Sequence, residues 1–169
     1  EINDAANAIG EVGGRASARV LDVTDRSAVQ KLVNETGPFH ILLNNAAFQG
    51  SYPQKFGTTN FIEWRKVLQT NVFGVMRMCE AFEKRIVCSE KKMIVNISSR
   101  AGSIERKTSS DIGNYKGELH LYRSSKSALN MISRCLAWDL ANQSITVVAL
   151  APGWVRTDLG GPNATLSVE

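Results

Sequence analysis

The stretch LYRSSKSALNMISRCLAWDL, residues 121–140, places a tyrosine four positions before a lysine at the start of an amphipathic helical pattern. In an α-helix, residues i and i+4 lie on one face, so Tyr122 and Lys126 can direct their polar ends to a common point. Leu129 and Leu136 continue the same side, which predicts that this face points into the protein. An inward phenol beside an inward ammonium indicates a reaction centre, and the alternative is a surface pair on a solvated helix.

Apolar stretches of strand length alternate with helical patterns along the 169 residues. The predicted strands are residues 18–23, 40–46, 93–99 and 145–152. Each is close to continuously apolar, which is typical of a parallel sheet covered by helices on both faces. The sequence therefore predicts one doubly wound α/β domain over residues 1–169, with three layers in the order α/β/α.

Three helices are predicted between these strands. Residues 25–36 begin with Asp25 as an N-cap and end at Gly37-Pro38, a strong stop signal. Residues from about 60 to 87 and from 122 to 140 carry apolar side chains at helical spacing.

Composition excludes several classes of protein. A hydrophobic content of 43% and a charged content of 21% are typical of one globular domain. No run approaches the roughly 20 apolar residues of a membrane helix, and the first residues lack the pattern of a secretory signal, so a soluble cytoplasmic protein without membrane contact is predicted. The net charge of +4 is scattered among acidic residues, so nucleic-acid binding is not expected.

The cysteines and histidines do not indicate a metal site. Cys79, Cys88 and Cys135 show no CxxC spacing, and neither His40 nor His120 has a cysteine or carboxylate at ligand spacing. Each cysteine is predicted to be a small buried apolar residue.

Polar and turn-forming residues follow three of the predicted strands. They are Asn44 and Asn45, then Ser98 and Ser99, then the Pro152-Gly153 turn. In parallel α/β sheets ligands bind beyond the carboxyl ends of the strands, where these residues and the start of the Tyr122 helix should meet. Ordinary loop chemistry is the alternative for any one of them, but not for all of them together.

Five ordered motifs resemble the short-chain dehydrogenase/reductase family: NNAA at 44–47, NVFG at 71–74, VNISS at 95–99, YRSSK at 122–126 and PGWVRTDLGG at 152–161. The end of the chain is most similar to the sniffer and C-factor branch of carbonyl reductases. The resemblance implies a Rossmann-like fold and hydride transfer between NAD(H) or NADP(H) and a carbonyl or alcohol substrate. The branch slightly favours NADP.

The same resemblance implies a catalytic set. Tyr122 would act as the acid or base, with its pKa lowered by the Lys126 ammonium. Ser99 would hold the substrate oxygen, with Ser103 as the alternative. Asn71 lies on an otherwise apolar helix face, where its amide needs partners, and in the family it holds a water that connects to the lysine.

The cofactor-binding residues are also implied by the family. Asp22 and Val23 would meet the adenine. Lys126 would bind the nicotinamide ribose. The remaining positions fall into two groups, Asn45, Ala46 and Ala47 on the adenosine ribose side and Pro152, Gly153, Val155 and Thr157 at the nicotinamide carboxamide. Ala47 replaces a glycine that the family usually has.

The sequence also departs from the family pattern. The glycine-rich TGxxxGxG turn is absent, and the glycines of GEVGG at 10–14 follow a helical stretch and are rejected as a phosphate loop. We therefore expect a domain truncated at both ends and lacking the first two strands, with a loop insertion around residues 100–121. A non-enzymatic scaffold or interaction module is the alternative function. Pairing of the two long helices would give a homodimer or homotetramer.

Overall fold

Three parallel strands form the sheet in this computed structural model, which describes residues 2–105 and 118–167. Strand β1 is Ile41–Asn44, β2 is Met93–Ile97 and β3 is Thr146–Leu150, in the order β1-β2-β3. Leu42 lies opposite Ile94, and Ile94 lies opposite Val147. Three of the four predicted strands are thus confirmed, and they run parallel as expected.

Helices connect the strands along the described residues. They are α1 (Ile2–Glu11), α2 (Arg26–Glu35), α3 (Phe61–Leu68), α4 (Val75–Val87) and α5 (His120–Asp139), and a π-helical segment, Gln69–Gly74, joins α3 to α4. Short 3-10 turns lie at Arg100–Gly102 and Ala141–Gln143. The predicted helix over 60–87 is therefore one helical segment without a break, and its middle part is π-helical. Such π-helical turns are frequent at functional sites. The loop insertion proposed around 100–121 falls mostly outside the described residues.

Asp25 begins α2 as predicted. Its carboxylate accepts hydrogen bonds from the backbone N–H groups of Ser27 at 2.8 Å and Ala28 at 3.1 Å. These are two of the four N–H groups that a helix start leaves without an intrahelical partner. The helix ends at Glu35, just before Gly37-Pro38.

The hydrophobic core lies between the helices and one face of the sheet. Its buried side chains come from α2, α4, α5 and the strands: Val29, Val33, Leu42, Val75, Met78, Cys79, Phe82, Ile86, Ile94, Leu129, Leu136 and Ile145. Cys79 is buried as expected, whereas Cys88 and Cys135 are exposed, so the prediction of burial is wrong for these two. The core places the helix bearing Tyr122 directly against the sheet.

The opposite face of the sheet is open in the described residues. Ile41 is 52% exposed, Leu43 56% and Val148 38%. The expectation of helices on both faces is therefore met on one face. The reason is that the described residues after β3 form turns rather than a helix that could cover the second face.

The predicted strand at residues 18–23 is wrong. This segment joins no ladder in the described residues, and a parallel strand needs a neighbour that accepts and donates its backbone hydrogen bonds. Its end is held by a side chain instead, because the Arg77 guanidinium donates to the Val23 carbonyl at 2.7 Å. Leu21 and Val23 pack on the edge of the core, which explains the apolar pattern.

A chain of buried polar side chains connects the sheet to α5. The Asn44 amide donates to the Asn96 side-chain oxygen at 2.9 Å, and the Asn96 amide donates to the Ser133 hydroxyl at 2.9 Å. Ser133 in turn donates to the Leu129 carbonyl. Buried amides are costly without partners, so this chain fixes the register between β1, β2 and α5.

We predict that Asn96→Ala lowers the free energy of unfolding by about 3 kcal/mol, because it leaves the Asn44 amide and the Ser133 hydroxyl without their partner in a buried site. Urea denaturation of the full-length protein measures this change. Asn34→Ala, on the exposed side of α2, is the control and should change stability by less than about 0.5 kcal/mol. Equal effects of the two substitutions would contradict the role of the buried chain.

Candidate active site

A cleft of about 840 Å³ opens at the carboxyl ends of the three strands. We call it the strand-end cleft. Residues that follow directly on β1, β2 and β3 line it, together with the first turns of α5. Its position agrees with the general location of ligand sites in parallel α/β sheets.

Tyr122 and Lys126 both face the strand-end cleft. The Lys126 Nζ lies 5.6 Å from the centroid of the Tyr122 ring and donates a hydrogen bond to the Ile97 carbonyl at 2.7 Å. Only 2% of Lys126 is exposed to solvent. The inward direction predicted from the helical spacing is therefore confirmed, and the surface-pair alternative is wrong.

The pKa values of the two groups move in opposite directions. Burial lowers the pKa of Lys126 to about 8, because the charged ammonium loses hydration. Burial raises the pKa of Tyr122, and a hydrogen bond with Ser99 opposes that rise. In the protein alone the pKa of Tyr122 is therefore raised and not lowered as expected, because burial of the phenol is the largest influence.

Ser99 is the serine that the fold brings to Tyr122. It is the second residue after β2 and lines the strand-end cleft. It caps the 3-10 turn, because its hydroxyl accepts a hydrogen bond from the Ala101 N–H at 3.1 Å. Ser98, its neighbour, instead donates from its hydroxyl to Asn130 on α5. Ser103, the alternative considered from the sequence, is not among the residues that line the cleft.

A glycine allows the turn after β2 to lie against α5. A Cβ added to Gly102 would stand 2.7 Å from the carbonyl carbon of Lys126, closer than Cβ atoms come to such neighbours in proteins. The Gly102 carbonyl also accepts from the Ser127 hydroxyl at 2.9 Å. This close contact sets the distance between the strand end that carries Ser99 and the helix that carries Lys126.

Asn71 lies in the π-helical segment and is fully buried. Its side-chain oxygen accepts from the Phe48 N–H at 2.8 Å, and its amide donates to the Phe48 carbonyl at 2.8 Å and to the Ser125 hydroxyl at 2.9 Å. Ser125 donates to the Tyr122 carbonyl at 2.7 Å. Asn71 therefore connects the loop after β1 to the first turn of α5.

Most of the predicted cofactor residues come together. Lining the strand-end cleft are Asn45, Ala46, Ala47, Pro152, Gly153, Val155 and Thr157. Gly153 has φ +97, and a Cβ there would clash with the Leu166 side chain. The turn after β3 therefore depends on glycine at this position.

Asp22 and Val23 do not reach the strand-end cleft. The Asp22 carboxylate is exposed and accepts from the Thr24 N–H at 2.8 Å, a bond that lowers its pKa. A Cβ on Gly74 would meet the Val23 side chain at 2.7 Å, so Val23 packs against the π-helical segment. These two residues are not among those that line the cleft, and their contact with the adenine of a cofactor stays a prediction.

Several cleft residues were missed because no motif marks them. Gln49, Tyr52 and Leu119 line the strand-end cleft from loops, and Trp154 of the PGWVRTDLGG motif lines it as well. The Gln49 amide donates to the Tyr52 hydroxyl at 2.6 Å, and the Trp154 indole N–H donates to the Gly160 carbonyl at 2.8 Å. Loop side chains of this kind are positioned by tertiary contacts, so their spacing in the sequence carries no signal.

The described ranges, 2–105 and 118–167, contain neither a candidate metal site nor a candidate membrane-spanning helix. No group of three His, Cys, Asp or Glu side chains there could hold a metal ion. None of the helices there has the length and apolar character to cross a membrane.

Comparison with known proteins identifies the family. A family model for short chain dehydrogenases matches residues 1–165, and the chain therefore belongs to this family of oxidoreductases. It is 34% identical over 131 residues to the C-signal protein of Myxococcus xanthus, covering 78% of this chain and 74% of that protein. The chain spans 55% to 74% of the length of the curated relatives that it matches.

Solved structures agree with this assignment. Carbonyl reductase Sniffer of D. melanogaster superposes with a TM-score of 0.82 at 29% identity, covering 99% of this chain and 69% of that one. A short-chain dehydrogenase/reductase from Burkholderia multivorans with bound NADP gives a TM-score of 0.81 at 31% identity, covering 95% of this chain and 67% of that one. The predicted fold class, a Rossmann-like parallel α/β sheet, is confirmed.

We predict that Lys126→Met raises the free energy of unfolding at pH 7 by about 2 kcal/mol, since relief of the buried charge outweighs the lost bond to Ile97. Between pH 8 and the ordinary lysine pKa of 10.5, the unfolded chain binds more protons than the folded one. The free energy of unfolding of the wild type therefore rises relative to that of the variant as pH rises through this range. Urea denaturation at pH 7, 8.5 and 10 measures the difference.

Lys31→Met, on the exposed side of α2, is the control for this prediction. Its effect on the free energy of unfolding should stay near zero at all three pH values. If Lys126→Met destabilised the protein equally at every pH, burial of the charged lysine would not be lowering the stability of the protein.

Proposed function

We propose that the full-length protein is an NAD(P)(H)-dependent oxidoreductase that interconverts a carbonyl compound and the corresponding alcohol, with reduction as the favoured direction. The observation that carries the proposal is the inward Tyr122 and Lys126 pair beside Ser99, at the strand ends of a chain in this family. The carbonyl reductase among the structural relatives supports the substrate class.

The residues of the strand-end cleft suit the nicotinamide end of a cofactor. The Lys126 ammonium has three N–H donors, and the described residues accept one of them, at the Ile97 carbonyl. The other donors can bind the hydroxyl groups of the nicotinamide ribose. Pro152, Gly153, Val155 and Thr157 form the adjoining wall, suited to the carboxamide. The NADP seen in the Burkholderia multivorans relative supports NADP ahead of NAD.

Tyr122 supplies the proton for carbonyl reduction. When bound, the reduced cofactor supplies the hydride that the carbonyl carbon receives, and the carbonyl oxygen then takes the phenol proton. A tyrosine is protonated at neutral pH, and burial, which raises the pKa of Tyr122, keeps the phenol in the form that can donate a proton. The Ser99 hydroxyl donates a hydrogen bond to the same oxygen as its negative charge develops. The Lys126 ammonium stabilises the phenolate that remains.

Asn71 acts by holding this arrangement. Its three hydrogen bonds join the loop after β1 to the turn of α5 that carries Tyr122. The water that the family places beside this asparagine would connect Lys126 with solvent and return the proton to the phenol.

Association of copies of the chain is a further part of the proposal. The two long helical segments expose large apolar side chains, with Phe61 72%, Ile62 74%, Met131 62% and Trp138 85% exposed. Exposed apolar groups of this size favour protein contacts. This supports a homodimer or homotetramer formed through the helices.

We predict that Tyr122→Phe lowers kcat for aldehyde or ketone reduction by about 10³-fold, because the variant lacks the proton donor. The dissociation constant for NADPH, measured by titration calorimetry, should stay within a factor of three. Tyr52→Phe removes the second phenol hydroxyl among the described residues of the cleft. That hydroxyl donates no proton in the proposed reaction, so its loss should lower kcat at least about 30-fold less than Tyr122→Phe does.

Two outcomes would count against the proposed function. A Tyr122→Phe protein with wild-type kcat would remove the proton donor from the mechanism. Failure of the full-length protein to bind NADH or NADPH would instead support the non-enzymatic scaffold.

We also predict that Ser99→Ala lowers kcat by about 100-fold while Ser103→Ala has an effect below about threefold, because Ser99 lines the cleft and Ser103 does not. Loss of the Ser99 hydrogen bond should raise the pKa of Tyr122 further. The basic limb of the pH profile for reduction should therefore move to higher pH in Ser99→Ala. The reverse ranking of the two serines would transfer the role to Ser103.

A further inference from the structure

The helix that carries Tyr122 begins without a cap of its own. Leu119, the residue before α5, has a left-handed backbone conformation with φ 72. Its side chain accepts no hydrogen bond from the N–H groups of the helix start. The first intrahelical bond is donated by Arg123 N–H to the Leu119 carbonyl at 2.8 Å. The earlier N–H groups need acceptors from elsewhere, because a helix start leaves them unpaired.

Gln54 supplies two of those acceptors from a distant part of the chain. Its backbone carbonyl accepts from the His120 N–H at 3.3 Å, and its side-chain Oε1 accepts from the Tyr122 N–H at 3.3 Å. Its side chain is 1% exposed, although it lies in a loop 68 positions before Tyr122. Gln54 therefore does from a distant part of the same chain what an N-cap residue does locally.

The other end of the same side chain holds the wall of the strand-end cleft. The Gln54 Nε2 donates to the Gln49 carbonyl at 2.8 Å. Gln49 and its partner Tyr52 both line the cleft. Gly50, at φ +82, leaves room for this arrangement, since a Cβ there would stand 3.2 Å from the Gln54 Nε2.

We propose that Gln54 is a positioning residue, whose buried amide caps the first turn of α5 and fixes Tyr122 relative to the Gln49 and Tyr52 wall against which substrate is held. The inference rests on the proposed function, because it assigns Tyr122 the proton transfer. It goes further by naming the group that sets the position of the phenol. The hydrogen bonds of Gln54 go to backbone groups of Gln49, His120 and Tyr122, so it acts through the backbone of the helix start.

The position of a proton donor matters strongly for rate. Displacement of a reacting group by about 1 Å can cost on the order of 100-fold. Loss of the cap frees the first turn of α5 at the residue that bears the phenol. Substrate binding to the remaining wall of the cleft is less affected, so the change belongs in kcat more than in KM.

The test compares three variants of the full-length protein. Gln54→Met keeps the length of the side chain and removes both amide groups. Gln54→Glu keeps an acceptor for the Tyr122 N–H, and its protonated carboxyl can also donate to the Gln49 carbonyl. Gln143→Met is the matched control, because it removes a side-chain amide bonded to Glu83, remote in sequence from both partners of Gln54.

We expect Gln54→Met to lower kcat for carbonyl reduction by about 10-fold to 100-fold with KM changed by less than about threefold. The amide of Tyr122 should exchange with solvent at least about 10-fold faster in the protein without cofactor, measured by NMR or mass spectrometry. Gln54→Glu should recover most of kcat at pH 6, and the recovered share should fall as the carboxyl ionises. Gln143→Met should leave kcat and the Tyr122 amide unchanged.

Three outcomes would overturn this role for Gln54. They are a kcat of Gln54→Met within twofold of wild type, an unchanged exchange rate at the Tyr122 amide, or an equal loss of kcat in Gln143→Met. If Gln54→Met does not fold, a pH-independent loss of kcat in Gln54→Glu would overturn it equally. Tyr122→Phe distinguishes failure of the proposed function from failure of this role for Gln54. An inactive wild type would reject the proposed function and this role together, whereas an inactive Tyr122→Phe beside a fully active Gln54→Met would reject this role alone.

Discussion

The buried ammonium of Lys126 is the constraint on which the strand-end cleft depends. A charged group that is 2% exposed is stable only with a strong partner, and here the Ile97 carbonyl at the end of β2 accepts its hydrogen bond. That bond joins α5 to the sheet edge. It also keeps the charge 5.6 Å from the centre of the Tyr122 ring, where burial has raised the pKa of the phenol.

Buried amides hold the surroundings of that pair in register. Asn44 and Asn96 lie side by side on adjacent strands and connect to Ser133 on α5, while Asn71 connects the loop after β1 to Ser125. Polar networks of this kind are stable only when every member is paired, so they permit few alternative arrangements of helix and sheet. The cleft thus gains a defined shape although loops build much of its wall.

Sequence reasoning succeeded where local chemistry and periodicity act together. Asp25 capped its helix, three strands formed near their predicted positions, and the four-residue spacing brought Tyr122 and Lys126 to one inward face. It failed at residues 18–23, because apolar residues indicate burial but cannot supply a neighbouring strand. It also failed for the pKa of Tyr122, since spacing reports which charge is near and not how much water has been removed.

The sequence by itself determined the family, the parallel α/β arrangement and the identity of the tyrosine, lysine, serine and asparagine of the candidate site. These follow from helical and strand periods and from motifs whose residues lie within a few positions of one another. Tertiary structure alone decided that Asp22 is not among the residues that line the cleft, that the loop residues Gln49 and Tyr52 are, and that Gln54 caps the helix of Tyr122. The physical reason is that a hydrogen bond between residues 68 positions apart depends on how loops close over the sheet, and no local pattern encodes that closure.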